Sequence, residues 1–207
     1  MKTGTRAYVQ LGRAAAADER TERIMEAALR LYLERPFELI TLASVAESAQ
    51  VGVQTLIRRV GTKDGLFKAL QQRLIPEFED ALGAPPDTGD PAAVAAAVAT
   101  LYERWGDLID RNYCQQLATP ALRETVQAGR RVHHDWVGAA FARCLTGLPP
   151  DRRRLTHARL VAVTELGLWL ALTRNEGLNP QEACDAMTQL IAACLASPQP
   201  GTAGTAH

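Results

Sequence analysis

One short segment of the chain concentrates the residue types with which proteins read DNA. Gln54 carries an amide that can pair with adenine, and Arg58 and Arg59 carry guanidinium groups that suit guanine or phosphate. The methyl groups of Val53 and Thr55 can pack against the methyl group of thymine. Because these residues fall on one predicted helix, they predict a surface that reads base edges in the major groove. The simpler alternative is that the cations only solvate an exposed surface.

Two short helical patterns are expected to position these residues. Thr41 can cap the first pattern, the segment 50–52 breaks it, and the second pattern runs over residues 53–60. Four apolar positions of the first pattern share one face: Leu42, Val45, Ala46 and Ala49. Helices this short are unstable alone, so the predicted helices over 18–35 and 62–82 must cover them. Two short helices joined by a tight turn form a helix-turn-helix, whose second helix enters the major groove.

The segment TLASVAESAQVGVQTLIRRVGTKDGLFKAL resembles the DNA-binding segment of TetR-family transcriptional regulators. The matching positions are Thr41, Val45-Ala46, Ala49, Val51, Thr55-Leu56 and Thr62-Lys63-Asp64 leading into Leu66. The resemblance implies that Lys63 meets a phosphate at the start of the fourth helix. The predicted DNA-binding residues are Thr41, Val53, Gln54, Thr55, Arg58, Arg59 and Lys63.

Three departures from the family pattern concern the turn and the second short helix. Gln50 stands in the turn where the family often has glycine, and Ile57 stands where an aromatic residue typically touches phosphate. Arg59 and Val60 replace a common His or Tyr followed by Phe. Arg59 is expected to take over a phosphate contact, because a guanidinium group matches phosphate geometry.

The periodicity of the whole chain predicts an all-α fold. No alternating β-branched run is flanked by turns, whereas helical periodicity recurs in about nine segments. Asp18 is predicted to cap the first helix. The predicted organisation is a flexible N-terminal arm over 1–17, a helix-turn-helix domain over 18–64, a ligand-binding and dimerisation domain over 65–197, and a disordered tail over 198–207.

The resemblance also implies an effector cavity among the C-terminal helices. Large aromatic residues are concentrated there, and Glu165 is an acid within the apolar run Leu160 to Leu172. Glu165 would serve as the counter-charge for a cationic ligand, or would pair with an arginine of the same protein. The predicted ligand-binding residues are Tyr102, Trp105, Tyr113, Trp136, Phe141, Glu165 and Trp169. For each aromatic residue, ordinary core packing is the alternative.

The last two predicted helices, over 155–172 and 180–195, suit a homodimer. The first is apolar on most faces of its second half, and the second carries an apolar stripe. Together they can supply half of a four-helix bundle between two copies, although both helices would also suit an intramolecular core. A homodimer would present two reading helices to the two half-sites of a palindrome.

His133, His134 and His157 raise the possibility of a metal site, to which Cys144 would add a thiolate. Adjacent residues on a helix diverge by about 100°, so the first two do not converge. No catalytic motif accompanies them, and we expect neither an enzyme nor a cofactor. The four cysteines form no Cys-x-x-Cys pair and are predicted to be buried free thiols: Cys114, Cys144, Cys184 and Cys194.

Charge and hydropathy agree with a DNA-binding front end. The formal net charge is zero, but residues 1–63 carry ten Lys/Arg against seven Asp/Glu, and the remainder carries the opposite excess. A basic front end is expected to meet an anionic partner. The longest apolar run has thirteen residues, too short to cross a bilayer. The protein is therefore predicted to be cytoplasmic, with no membrane partner.

These features predict a regulator of transcription. We expect a repressor that binds a palindromic operator in double-stranded DNA as a homodimer and is released by an unknown small-molecule effector. One alternative is an activator, or a regulator that needs no effector. The other is an all-α metal-binding protein or enzyme that uses His133, His134 and His157.

Overall fold

The computed structural model describes residues 4–86 and 89–196, and the side chains of residues 4–17 lie outside this description. Ten α-helices account for most of the described residues, and no β-strand occurs among them. The all-α fold expected from the sequence is therefore confirmed. The predicted tail over 198–207 falls outside the described residues.

The N-terminal helices follow the predicted pattern closely after their first element. They are α1 (Gly4–Glu34), a 3-10 turn (Phe37–Leu39), α2 (Leu42–Ser48), α3 (Val53–Val60) and α4 (Lys63–Leu82). α1 begins at Gly4 rather than at Asp18, so the backbone of residues 4–17 is helical where the sequence favoured a loose arm. The predicted cap at Asp18 is wrong, because that residue lies inside the helix.

The C-terminal helices mostly begin at prolines. They are α5 (Pro91–Gln115), α6 (Pro120–Ala140), α7 (Ala142–Thr146), α8 (Pro150–Val163), α9 (Leu166–Leu170), a π-helical turn (Ala171–Asn175) and α10 (Pro180–Ala196). The side chains of Asp90, Thr119 and Asn179 accept hydrogen bonds from first-turn N–H groups of α5, α6 and α10, at 3.0, 3.2 and 3.0 Å. Each polar cap followed by proline therefore starts a helix.

The apolar run at 155–172 does not form the single helix predicted for it. The Thr164 hydroxyl donates to the Leu160 carbonyl oxygen at 2.8 Å, and Glu165 adopts an extended backbone with ψ 150°. A threonine that bonds back to its own helix competes with the regular ladder. The run is therefore split into α8 and α9. No single described helix is long and apolar enough to span a bilayer. Among the described residues, only α8 together with the segment Leu166–Asn175 reaches that length and hydropathy, and these two parts are bent by 41°.

The described residues form two compact units. The first unit contains the chain up to Ile75 together with Arg111–Val126, and the second contains Pro76–Asp110 together with the chain from Gln127. Helices α4, α5 and α6 each contribute to both units. The sequence predicted a linear division after residue 64, whereas the packing divides the chain inside helices.

The core of the first unit holds the short helices in place. Phe67 of α4 packs edge-on against Tyr32 and Phe37, with ring centroids 4.9 and 4.8 Å apart. Edge-to-face packing suits the charge distribution of aromatic rings. Of the four positions predicted to share one face, Val45, Ala46 and Ala49 are fully or almost fully buried and Leu42 is half-buried. Leu56 of α3 is fully buried beside them. Packing of α2 against α1 and of α3 against α2 therefore stabilises helices too short to persist alone.

The four cysteines are all free, but they differ in exposure. Cys114 and Cys144 are exposed, so the prediction of buried thiols is wrong for these two, whose helix faces meet solvent. Cys184 and Cys194 are half-buried. Burial is the main cause that raises the pKa of both half-buried thiols, which disfavours the reactive thiolate.

Candidate nucleic-acid interface

The N-terminus of α2 is closed by a reciprocal capping box. The Ser44 backbone N–H donates to the Thr41 hydroxyl at 3.0 Å, and the Thr41 backbone N–H donates to the Ser44 hydroxyl at 3.1 Å. Two donors that the helix itself leaves unpaired are thereby satisfied. The Thr41 side chain remains exposed, so its predicted DNA contact is compatible with its role as a cap.

The turn between α2 and α3 contains a strained residue. Gln50 has φ 54°, a left-handed conformation that glycine adopts more easily than other residues. The Val51 N–H donates to the Ala46 carbonyl oxygen at 2.9 Å and closes the turn. This geometry explains why the resemblance favours glycine at position 50.

Replacing Gln50 with glycine is expected to stabilise the protein. The substitution removes a left-handed strain of about 1 kcal/mol, while the added freedom of the unfolded chain offsets part of it. We expect a net gain of roughly 0.5 kcal/mol in the free energy of unfolding, measured by denaturant titration. Gln50→Val is the matched control and should be less stable than the wild type, because a β-branched residue is poorly tolerated at positive φ. A destabilised glycine variant would contradict this account.

Helix α3 divides into one buried and one exposed side. Leu56 is fully buried in the first-unit core, and Thr55 is half-buried beside it. The exposed side chains of α3 are Val53, Gln54, Ile57, Arg58 and Arg59. The structure therefore gathers four of the seven predicted DNA-binding residues on one accessible helix surface, and it adds Ile57, which sequence reasoning noted only as a departure.

Arg58 and Arg59 are exposed in the last turn of α3. Within the described part of the chain, neither guanidinium group makes a hydrogen bond or ion pair. The N–H donors of both side chains are therefore available to an external acceptor. Phosphate and guanine are acceptors whose geometry matches a guanidinium group.

Lys63 is placed differently from the prediction for it. Its ammonium group donates to the carbonyl oxygens of Phe37 and Glu38, at 2.8 and 3.5 Å, and lies 4.2 Å from the centroid of the Phe37 ring. These contacts fasten the 3-10 turn to the start of α4. An ammonium carries three donors, so a phosphate contact needs the remaining one. The half-buried Lys63 therefore stabilises the contact between the 3-10 turn and α4, and only its remaining donor is available to a phosphate.

A polar network inside the first unit was not found from the sequence. The Tyr32 hydroxyl donates to Asn112 Oδ1 at 2.9 Å, and Gln71 Nε2 donates to the same oxygen at 3.4 Å. Arg111 Nε donates to the Tyr32 carbonyl oxygen at 3.0 Å. Burial is the main cause that raises the pKa of Tyr32 well above its ordinary value, so its hydroxyl stays protonated and able to donate. The sequence signal that could have revealed this network is Asn112, a polar residue at a buried position of α5.

The aromatic residues predicted to bind ligand mostly form the core of the second unit. Tyr102, Trp136, Phe141 and Trp169 are buried there, and Trp105 is half-buried with its ring 4.7 Å from that of Phe78. The Tyr102 hydroxyl donates to the Thr164 carbonyl oxygen at 2.7 Å, and Trp136 Nε1 donates to that of Gly83 at 2.9 Å. Tyr113 belongs to the first unit and is not gathered with the others.

His133 and Glu165 meet at the break between α8 and α9. His133 Nε2 lies 3.0 Å from the Thr164 hydroxyl, which itself donates to a backbone carbonyl, so Nε2 is assigned the proton. His133 Nδ1 lies 3.7 Å from Glu165 Oε1 and, although buried, has no hydrogen-bond partner among the described residues. The indole Nε1 of Trp105 is likewise buried and unpartnered there.

The three histidines do not converge on a common point. His133 turns to Thr164, whereas His157 Nε2 lies 3.1 Å from the His134 carbonyl oxygen and His134 Nδ1 lies 3.1 Å from Asp135 Oδ1. Within residues 4–86 and 89–196, no group of three His, Cys, Asp or Glu side chains is arranged to hold a metal ion. The imidazoles are used in hydrogen bonds to their neighbours instead.

The helix-turn-helix segment is similar in sequence to a known protein family. Residues 24–70 match the profile of bacterial regulatory proteins of the tetR family. This range spans the described part of α1 from Ile24, the 3-10 turn, α2, α3 and the start of α4. No curated protein gives a significant sequence match.

Solved structures extend the likeness to most of the chain. A transcriptional regulator from Rhodococcus sp. Rha1 is 21% identical over 84% of this chain and 95% of its own, with a TM-score of 0.67. A TetR-family member from Streptomyces coelicolor A3 is 22% identical over 83% and 98%, with a TM-score of 0.58. The multidrug binding protein EbrR, solved in complex with imidazole, is 21% identical over 88% and 97%, with a TM-score of 0.55. At these identities the likeness concerns the fold. Together, the two comparisons show a segment of the tetR family over residues 24–70, within a chain that shares the fold of these regulators along most of its length.

Proposed function

We propose that the protein is a repressor that binds a palindromic operator as a homodimer and is released by a small-molecule effector. The observation that carries the DNA-binding part is the exposed side of α3, where Arg58 and Arg59 have no partner in the described chain. Gln54 and Val53 precede them by about one helical turn on the same accessible helix. In a helix-turn-helix the N-terminal residues of the second helix contact base edges, and cations near the backbone fix its register.

The dimer is supported by an apolar surface on α8 and α10. Leu155 of α8 is 46% exposed and Leu190 of α10 is 40% exposed, and Ala158 and Ala162 are exposed on the same side of α8 as Leu155. Spacings of three and four residues place these α8 side chains in one stripe, and small residues let helix backbones approach closely. A second copy that covers this surface would remove it from water and form a four-helix interface.

The effector is supported by unsatisfied polar atoms in the second unit. A buried donor or acceptor without a partner costs about 1–3 kcal/mol, and Trp105 Nε1 and His133 Nδ1 are two such atoms. His133 Nδ1 lies 3.7 Å from Glu165 Oε1, so an anionic side chain stands beside one of these two atoms. A ligand that brings polar groups to this site would supply hydrogen-bond partners to Trp105 Nε1 and His133 Nδ1. The likeness to a multidrug binding protein supports a ligand-binding fold of this kind.

The proposed mechanism is a shift between two populations of the dimer. The free dimer holds its reading helices at a spacing that fits the operator. Because α4 contributes to both units, a ligand that displaces α4 changes that spacing and favours a geometry that binds DNA poorly. The packed aromatic core of the second unit supports a second candidate, a regulator that needs no effector, since a ligand must first displace core contacts.

The test is selection from a random double-stranded DNA pool with the purified protein at moderate salt. We expect one palindrome to be enriched, with half-sites about 10 base pairs apart or a multiple of that spacing. Leu190→Arg should weaken the dimer and enrich a single half-site, whereas Leu117→Arg, on an exposed leucine of the first unit, should not. No enrichment with folded protein would count against DNA binding.

The effector is tested on the selected operator with a panel of organic cations. A cation that lowers operator affinity in the wild type, and does so less in Glu165→Gln, would support the effector role. An operator affinity that no member of the panel changes would favour the regulator without an effector.

A further inference from the structure

The exposed surface of α3 contains an apolar pair. Val53 and Ile57 are each 38% exposed, and they stand four residues apart on a helix of eight residues. Residues so spaced lie on the same face, with Cβ atoms about 5–6 Å apart. The core contact of α3 comes from Leu56 instead, which is fully buried. Two neighbouring β-branched side chains therefore form one apolar strip at the surface of α3.

The surroundings of this strip indicate its partner. Gln54, Arg58 and Arg59 are exposed on the same short helix, so the strip is flanked by polar and cationic groups. A second protein would have to bury these cations, whereas DNA offers phosphate and base edges to them. The major groove presents one apolar group to a reading helix, the C5 methyl of thymine. The strip is thus complementary to thymine methyl groups within a polar groove.

We propose that Val53 and Ile57 together read thymine methyl groups, and that each half-site carries two thymines one or two base pairs apart. The spacing of about 5–6 Å between the Cβ atoms corresponds to one or two base steps of about 3.4 Å. Ile57 is therefore a specificity-determining residue, in place of the aromatic phosphate contact implied by the family pattern. This inference rests on the proposed function and names the bases that the same surface recognises.

The expected effect follows from burial of methyl groups. Moving one methyl group from water into an apolar contact changes affinity about fourfold. Two thymines in a half-site should then contribute about 15-fold, an effect that is independent of salt because no charge is involved.

The experiment compares the selected operator made with thymine and with deoxyuridine, which lacks only the methyl group. We expect uracil inside a half-site to lower wild-type affinity about 15-fold, and uracil in the flanking DNA to have no effect. The double variant Val53→Ala, Ile57→Ala should bind both operators alike. Arg58→Ala should weaken binding to both operators equally and keep the ratio of the two affinities.

Equal wild-type binding to the thymine and uracil operators would overturn the inference. The same holds if the double variant keeps the wild-type ratio of the two affinities. If selection enriches no sequence, the proposed function fails, and the inference fails with it.

Discussion

Replacing Gly65 with alanine is expected to destabilise the helix-turn-helix by about 3 kcal/mol or more, because the added methyl group has no room. A Cβ at position 65 would lie 2.2 Å from the Val60 carbonyl oxygen, where backbone rather than a movable side chain is the obstacle. That carbonyl oxygen also accepts a hydrogen bond from the Thr62 N–H at 2.9 Å. The junction between α3 and α4 must therefore shift to accept the change.

The measurement is denaturant unfolding followed by circular dichroism, with Gly129→Ala as the matched control. Gly129 is an exposed residue within α6, and nothing lies within 4 Å of a Cβ placed there. Alanine at position 129 should raise stability by about 0.5–1 kcal/mol, since glycine is a poorer helix former. A Gly65→Ala variant as stable as the wild type would show that the junction is not constrained as described.

Replacing Arg58 and Arg59 together with alanine is expected to lower operator affinity about 100-fold. Removing a charge-assisted hydrogen bond to DNA costs about 1–3 kcal/mol, and a cost of about 1.4 kcal/mol for each arginine gives that factor. Because binding to phosphate releases counterions, the slope of log affinity against log salt should also become shallower, by about 0.9 for each phosphate that the variant no longer neutralises. Fluorescence anisotropy over a series of salt concentrations measures both quantities.

The control for this pair is Arg123→Ala with Arg131→Ala. Both arginines are exposed on α6, so the variant changes net charge by the same amount without touching α3. Its operator affinity and salt slope should stay close to those of the wild type. A salt slope unchanged in the Arg58 and Arg59 variant would mean that these guanidinium groups bind no phosphate. Circular dichroism should show both variants folded, because the replaced side chains make no hydrogen bond or ion pair with the described residues.

Local signals in the sequence sufficed for the helix-turn-helix. Thr41 and Thr62 are helix caps that act on backbone groups three residues away, so neither depends on distant parts of the chain. The inward positions Val45 and Leu56 follow from helical periodicity, which is also local. The same applies to α5, α6 and α10, each started by a polar cap and a proline. Helices whose start is set by residues within one helical turn could therefore be predicted from the sequence.

Features that depend on distant partners were not predictable in this way. The break at Thr164 occurs in a run whose periodicity favours one long helix, and its hydroxyl is also contacted by His133 of α6. The contact between Lys63 and the Phe37 carbonyl oxygen likewise depends on a 3-10 turn that is distant in the sequence.

The sequence by itself determined the all-α class and the helix-turn-helix segment that matches the tetR-family profile. Those follow from periodicity, caps and a spaced motif within about fifty residues. Only the tertiary structure decided that Arg111–Val126 belongs with the DNA-binding helices and that Asn112 joins Tyr32 and Gln71 in one buried network. The physical reason is that a buried polar group takes whichever partner the packing supplies, and packing joins residues far apart in the chain.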